Sequence, residues 1–208
     1  MTNPLRITLS TGILYHLPLS YTFAAAHDLG LAGVELVMGP EVFLCGADHV
    51  RRLCDKYSVP VLSVHPPIVP YPGEAHPARL LPRLAQLAVA VGGRVIVLHT
   101  PKVTSIEDPR WAEFAKDIEK AREQWPQVCV SVENSGHFRH SDRHYLLHDL
   151  GRLRAFADAH DLALTLDTAH AGTAESDLFQ AYHLFASRLV NVHLSDLIRA
   201  PLFPDLKP

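Results

Sequence analysis

Long apolar runs are missing from this chain of 208 residues, and so is any surplus of positive charge. No stretch approaches the ~18–20 apolar residues of a membrane span, so no membrane partner is expected. The opening Met1-Thr-Asn-Pro-Leu-Arg-Ile7 lacks the basic segment and apolar core of a secretory signal. Lys and Arg number 19 against 22 Asp and Glu, a net charge of -3, and no Lys/Arg cluster stands out. That balance disfavours nucleic acid and anionic membrane surfaces as partners. Cysteine is scarce: Cys45, Cys54 and Cys129 are odd in number and show no CxxC spacing. Reduced thiols in a cytoplasmic protein are the expectation, with Cys129, inside a strand-like run, a small core residue.

What the chain does contain is 48% hydrophobic residues, enough for a sizeable core, and 14 histidines. Imidazole is the commonest metal ligand, so the position of each histidine matters. His27, His49, His160 and His183 fall within or at the ends of helical patterns and read as solvated or structural. Others end β-rich runs. Five such runs are Val61-Leu-Ser-Val-His65, Val95-Ile-Val-Leu-His99, Val128-Cys-Val-Ser-Val-Glu133, Leu162-Ala-Leu-Thr-Leu-Asp167 and Leu189-Val-Asn-Val-His193. Their endings are 34, 34, 34 and 26 residues apart. Short β-branched runs separated by helix-length gaps indicate a strand-helix repeat.

Two earlier runs, Leu5–Leu9 and Gly33–Val37, bring the strands to seven. Helices are expected over 20–29, 47–57, 77–91, 109–125, 145–160 and 176–187, with Ser20 as an N-cap and Gly30 and Gly92-Gly93 as stops. Pro82 marks a kink or a late start in the third. The loop 66–73 is too proline-rich for helix or sheet interior, and 197–208 has no periodicity. Strict alternation implies parallel strands with right-handed crossovers. A doubly wound sheet would gather only two or three strand ends, whereas a TIM (β/α)8-type barrel gathers all of them on one face. The expectation is therefore one α/β barrel domain over 1–208, with seven strands visible and the eighth strand and its helices missing at the C-terminus.

His65, His99, Glu133, Asp167 and His193 are three imidazoles and two carboxylates, and Asp167-Thr-Ala-His170 adds another imidazole one turn on. Mixed nitrogen and oxygen donors suit Zn, Mn, Fe or Co, in one or two ions. Glu133, central in the series, has two oxygens with which to bridge a metal pair. Glu35 sits earlier in its strand and reads as an orienting or structural group. His16, Asn134, Lys102, Arg139 and Asp196, with His137 and His140, lie on segments leaving the same expected face and are candidates for binding substrate.

Together these residues resemble the xylose isomerase-like TIM-barrel superfamily, which includes sugar phosphate isomerases/epimerases and the endonuclease IV group. Gly33-Val-Glu-Leu36, Val132-Glu-Asn-Ser-Gly136, Leu166-Asp-Thr-Ala-His170 and Val192-His-Leu-Ser-Asp196 carry the likeness. The isomerase pattern implies one divalent ion, often Mn, held by Glu133, Asp167 and His193, with His170 contacting substrate. The endonuclease pattern implies further zinc at His65 and His99. Two features depart from the family: the strand-eight carboxylate is absent, and Ser195 stands where a lysine is frequent. The resemblance implies a metal-dependent isomerase or epimerase of a small sugar or sugar phosphate, acting through an enediolate with Glu133 and His170 catalytic. The alternatives are a zinc phosphodiesterase and a non-catalytic metal- or sugar-binding barrel. Sequence leaves homo-oligomerisation open.

Overall fold

The β-branched runs become strands where their period places them. In the computed structural model, which describes residues 5–68 and 80–196, the strands are β1 (Thr8–Ser10), β2 (Gly33–Val37), β3 (Val61–His65), β4 (Val95–His99), β5 (Cys129–Glu133), β6 (Ala163–Asp167) and β7 (Leu189–His193). The α-helices are α1 (Leu19–Asp28), α2 (Pro40–Tyr57), α3 (Leu81–Val91), α4 (Pro109–Gln124), α5 (Leu150–Ala159), α6 (Thr168–Thr173) and α7 (Leu178–Phe185). Expected loop residues 69–73, helix start 77–79 and tail 197–208 lie outside the described residues. No helix among the described residues is long and apolar enough to cross a membrane.

The chain divides into two compact units, 1–97 with 121–129 and 98–120 with 130–208. In the first, β1, β2, β3 and the start of β4 pair in parallel and in chain order. Parallel neighbours require a crossover, and helices supply it, burying Phe23, Val50, Leu53, Leu81 and Leu84 alongside strand residues Val34, Leu36 and Val64. In the second unit β5, β6 and β7 are likewise parallel and sequential. Its core includes Val132, Leu153, Leu164, Leu166 and Phe185. Phe114 of α4 stacks on Phe156 of α5 at 5.8 Å between ring centroids, and Trp111 meets the same ring edge-on at 5.1 Å.

Helix boundaries depart from the sequence expectation where capping chemistry intervenes. Ser20 does not cap α1; the helix starts one residue earlier, and the Leu19 N–H donates to Glu41 Oε2 at 2.8 Å. Helix α2 starts at Pro40 rather than near 47, because helical turns run on both sides of Gly46, whose φ of 71° breaks the winding between them. Pro82 lies in the first turn of α3, where its missing N–H costs no hydrogen bond. The helix expected from 145 begins at Leu150, capped by Asp149 Oδ1 on the Arg152 N–H at 2.8 Å. Residues 140–148 instead form two 3-10 turns, His140–His144 and Leu146–His148. Helix α6 was not expected; Asp167 nucleates it by capping the His170 N–H. Cys129 corrects another expectation, since it is exposed. It enters β5 before the register with β6 begins at Ser131, so the strand's neighbour does not cover it.

Candidate metal centre

Register alone assembles much of the second unit's site. Asp167 and His193 are direct partners at the ends of β6 and β7, so alternation turns both to one side of the sheet. Glu133 ends β5 and is 1% exposed. Its Oε1 lies 2.7 Å from His193 Nδ1 and 3.8 Å from His170 Nδ1, and its Oε2 lies 3.4 Å from His99 Nδ1. Asp167 Oδ2 is 3.7 Å from His193 Nδ1, while Asp167 Oδ1 accepts the His170 N–H at 2.7 Å. Glu133, Asp167 and His170 each offer a ligand atom, all within 4.8 Å of one another. Two buried carboxylates so close repel when both are ionised, and a divalent cation relieves that repulsion. The oxygen-and-imidazole donor set fits such an ion.

The His99 and His170 rings are also near each other, tilted by 56° with centroids 5.9 Å apart, and Phe138 meets His170 edge-on at 5.7 Å. Gly136 makes that approach feasible. A Cβ there would meet the Phe138 ring and Thr173 Oγ1 at 2.8 Å, inside van der Waals contact.

The remaining candidates divide between the two units. His65 ends β3 in the first unit, buried, with its Nδ1 2.7 Å from the Pro66 carbonyl. Glu35 lies buried within β2 and accepts from Ser10 Oγ at 3.2 Å and Ser63 Oγ at 3.0 Å. His16 is exposed in a turn of that same unit. In the second unit Lys102 is exposed and pairs with Asp142 Oδ1 at 3.5 Å. Arg139 is exposed too, its N–H donating to Asp142 Oδ2 at 2.9 Å. Asp196 is exposed. Asn134 is 1% exposed and bonds to the Asp167 backbone. His49 pairs with Glu41 at 2.6 Å and His160 with Glu119 at 3.4 Å, structural contacts as expected of them.

Asp142 organises the loop over the site. Burial pushes its carboxyl up, but the Arg139 N–H, the Lys102 ammonium and the Phe138 N–H outweigh that and hold it below the usual range. Beside it His137 and His148 stack at 5.6 Å, and burial, then the neighbouring His137, lowers His148 to about 4.

Sequence reasoning missed Ser131, Thr165 and Asn191. Ser131 Oγ and Thr165 Oγ1 share a hydrogen bond of 2.7 Å with no exposure, and Asn191 Nδ2 lies 3.2 Å from His193 Nε2. The signal that could have found them was a small polar residue two positions before the strand ending, which alternation puts on the same face.

Residues 23–204 match the family model described as xylose isomerase-like TIM barrel, and the chain belongs to that family. It is therefore an α/β protein of TIM-barrel class with seven parallel strands described. It is 32% identical over 229 residues to an uncharacterised protein of Mycobacterium tuberculosis, covering all of this chain and 80% of that one. An uncharacterised Mycobacterium leprae protein is also 32% identical, over 98% of this chain and 79% of its own. Among solved structures, a 3-keto-D-glucoside 4-epimerase from E. coli in apo form superposes with TM-score 0.71 at 16% identity, covering 93% of this chain and 80% of that chain. A xylose isomerase domain protein from Alicyclobacillus acidocaldarius gives 0.67 at 22% identity, covering 95% and 76%. At these identities the structures establish the fold.

Proposed function

We propose that this chain is a divalent-metal-dependent isomerase or epimerase of a small sugar or sugar phosphate. The observation that carries the reading is the convergence of Glu133, Asp167 and His193, with His170 beside them. Sugar epimerases among the structural neighbours support the substrate class. On this reading Glu133, Asp167 and His193 would hold a Mn or Zn ion, with His99 a candidate ligand of a second. The ion supplies Lewis acidity toward a substrate carbonyl. The Glu133 carboxylate would accept the proton from the carbon next to that carbonyl, leaving an enediolate, and return it to the neighbouring carbon for isomerisation; epimerisation needs a second acid on the opposite face of the same carbon. His170 would contact the substrate oxygens through Nε2. A single barrel domain over 1–208, working on a small molecule in the cytoplasm, belongs to the same reading.

A second reading, a zinc phosphodiesterase with Glu133 bridging two ions, has the 3.4 Å approach of His99 to Glu133 Oε2 in its favour. Metal analysis with anomalous scattering separates the two. One Mn or Co at Glu133, Asp167 and His193 supports the isomerase, and two zincs bridged by Glu133 support the hydrolase. Incubating the loaded protein in D2O with ketoses, aldoses and their phosphates then tests proton abstraction directly. Deuterium should enter next to the carbonyl and stop doing so in Glu133→Gln; label entering equally in that variant would refute the role of Glu133.

A further inference from the structure

Asn134 continues the β-ladder with its side chain. The backbone register between β5 and β6 ends at Glu133 and Thr165, where the Asn134 N–H still reaches the Thr165 carbonyl at 3.4 Å. Beyond that point the Asn134 amide takes over: Nδ2 donates to the Asp167 carbonyl at 3.0 Å, and Oδ1 accepts the Asp167 N–H at 2.7 Å. A peptide N–H only donates and a peptide carbonyl only accepts, so this pair of contacts also fixes which amide atom is oxygen.

The main chain of Asn134 acts on a second site residue. Its carbonyl lies 2.9 Å from His170 Nδ1. Because a carbonyl cannot donate, the hydrogen must sit on Nδ1 and the lone pair on Nε2. His170 Nε2 has no hydrogen-bond partner among the described residues. The Asp167 carboxylate in turn holds the His170 N–H, so Asn134, Asp167 and His170 form one closed network.

We propose that Asn134 is a positioning residue: it sets the main chain that carries Asp167 and fixes His170 as the Nδ1–H tautomer, with Nε2 presented as the proton acceptor. The use made of that lone pair rests on the isomerase reading; the arrangement itself does not. At 1% exposure Asn134 has almost no surface to offer a substrate, which separates this role from direct substrate binding.

Imidazole 1H–15N spectra of the metal-free protein test the tautomer, and Mn2+ titration followed by electron paramagnetic resonance tests the positioning. In the wild type His170 should give a single Nδ1–H pattern. In Asn134→Ala that pattern should be lost and Mn2+ should bind roughly 10–100-fold more weakly, the range for removing a group that orients a metal ligand. Ser131→Ala is the control for ordinary buried damage to β5 and should leave the His170 spectrum as it is. An Nε2–H pattern in the wild type overturns the proposal without any variant. So does Asn134→Ala with an unchanged tautomer and Mn2+ affinity within twofold, or Ser131→Ala reproducing both effects. Should Asn134→Ala fail to fold, Asn134→Asp removes the Nδ2 donor and keeps an acceptor, and the same spectra decide. Wild-type protein that binds no Mn2+ but shows the Nδ1–H pattern counts against the isomerase reading and supports the Asn134 arrangement.

Discussion

Four strand endings repeat a two-residue signature: Ser63 before His65, Ser131 before Glu133, Thr165 before Asp167 and Asn191 before His193, each with one residue between. A strand's period of two puts the members of each pair on one face, the small polar group a step deeper than the ligand type. In the second unit this gives the buried Ser131–Thr165 hydroxyl pair beneath Glu133 and Asp167. A buried hydroxyl stripped of its partner costs about 1–3 kcal/mol, whereas removing both partners costs less than the sum. Ser131→Ala and Thr165→Val should each lower the unfolding free energy measured in urea by that amount, and the double variant should be markedly sub-additive. Strict additivity across the cycle would show that the hydroxyls act separately. The signature was legible in the sequence, since both its period and its residue types are local. The Asn134 ring was not, because it depends on where β6 stops relative to β5, and register is a tertiary quantity.

Between β5 and α5 the chain is set by turns, and its stability should depend on acid. His148 is buried against His137, with neither ring nitrogen hydrogen-bonded among the described residues. Facing it are His137, Asp142, Lys102, Tyr145 and, at longer range, His170. Burial, followed by His137, lowers its folded pKa to about 4 from an ordinary value of 6.5. Neutral His148 thus favours the folded state above about pH 6.5, and this contribution is lost as pH falls through the window down to about 4. Thermal melts between pH 7 and 4 should show a steeper loss in the wild type than in His148→Gln. Parallel curves would remove His148 as the cause. Gly136→Ala belongs to this element too. It should displace the Phe138 ring from His170 and expose that imidazole to faster modification by diethyl pyrocarbonate, because the added methyl overlaps ring and Thr173 hydroxyl. Boundaries here escaped sequence reading for a local reason. Asp142 and Asp149 compete as caps, and only Asp149 starts an α-helix. By contrast β2, β3, β4 and β7 fall on their expected residues, because a short β-branched run set between helix-length segments leaves little freedom.

Across the whole molecule, metal binding, protonation and folding should be linked. In the structure His193 Nδ1 lies 2.7 Å from Glu133 Oε1, so the hydrogen on that nitrogen occupies the direction an ion would take. Ligation through that nitrogen would need its hydrogen moved to Nε2, and protons compete with an ion for the carboxylates and imidazoles, so affinity should climb with pH. An ion that binds only the folded chain stabilises it by about 2.7 kcal/mol at a hundred times its Kd. Scanning calorimetry with added Mn2+ should show a larger rise in Tm at pH 8 than at pH 6, and no rise in Glu133→Gln. A rise of equal size in that variant would place the ion elsewhere. The parallel α/β class was readable because seven runs alternate with helix-length gaps over nearly the whole chain, and the family match confirms it.

A rung of backbone hydrogen bonds opens only when its neighbours open with it, but the Asp167 N–H hangs on one side chain at the ladder's end. Its escape to solvent needs a single rotation of Asn134 rather than the fraying of β5 from β6. Deuterium should then enter that amide faster than the amide of Leu164 within the same strand, which donates to the Arg188 main-chain carbonyl, giving the site a clock of its own inside the sheet.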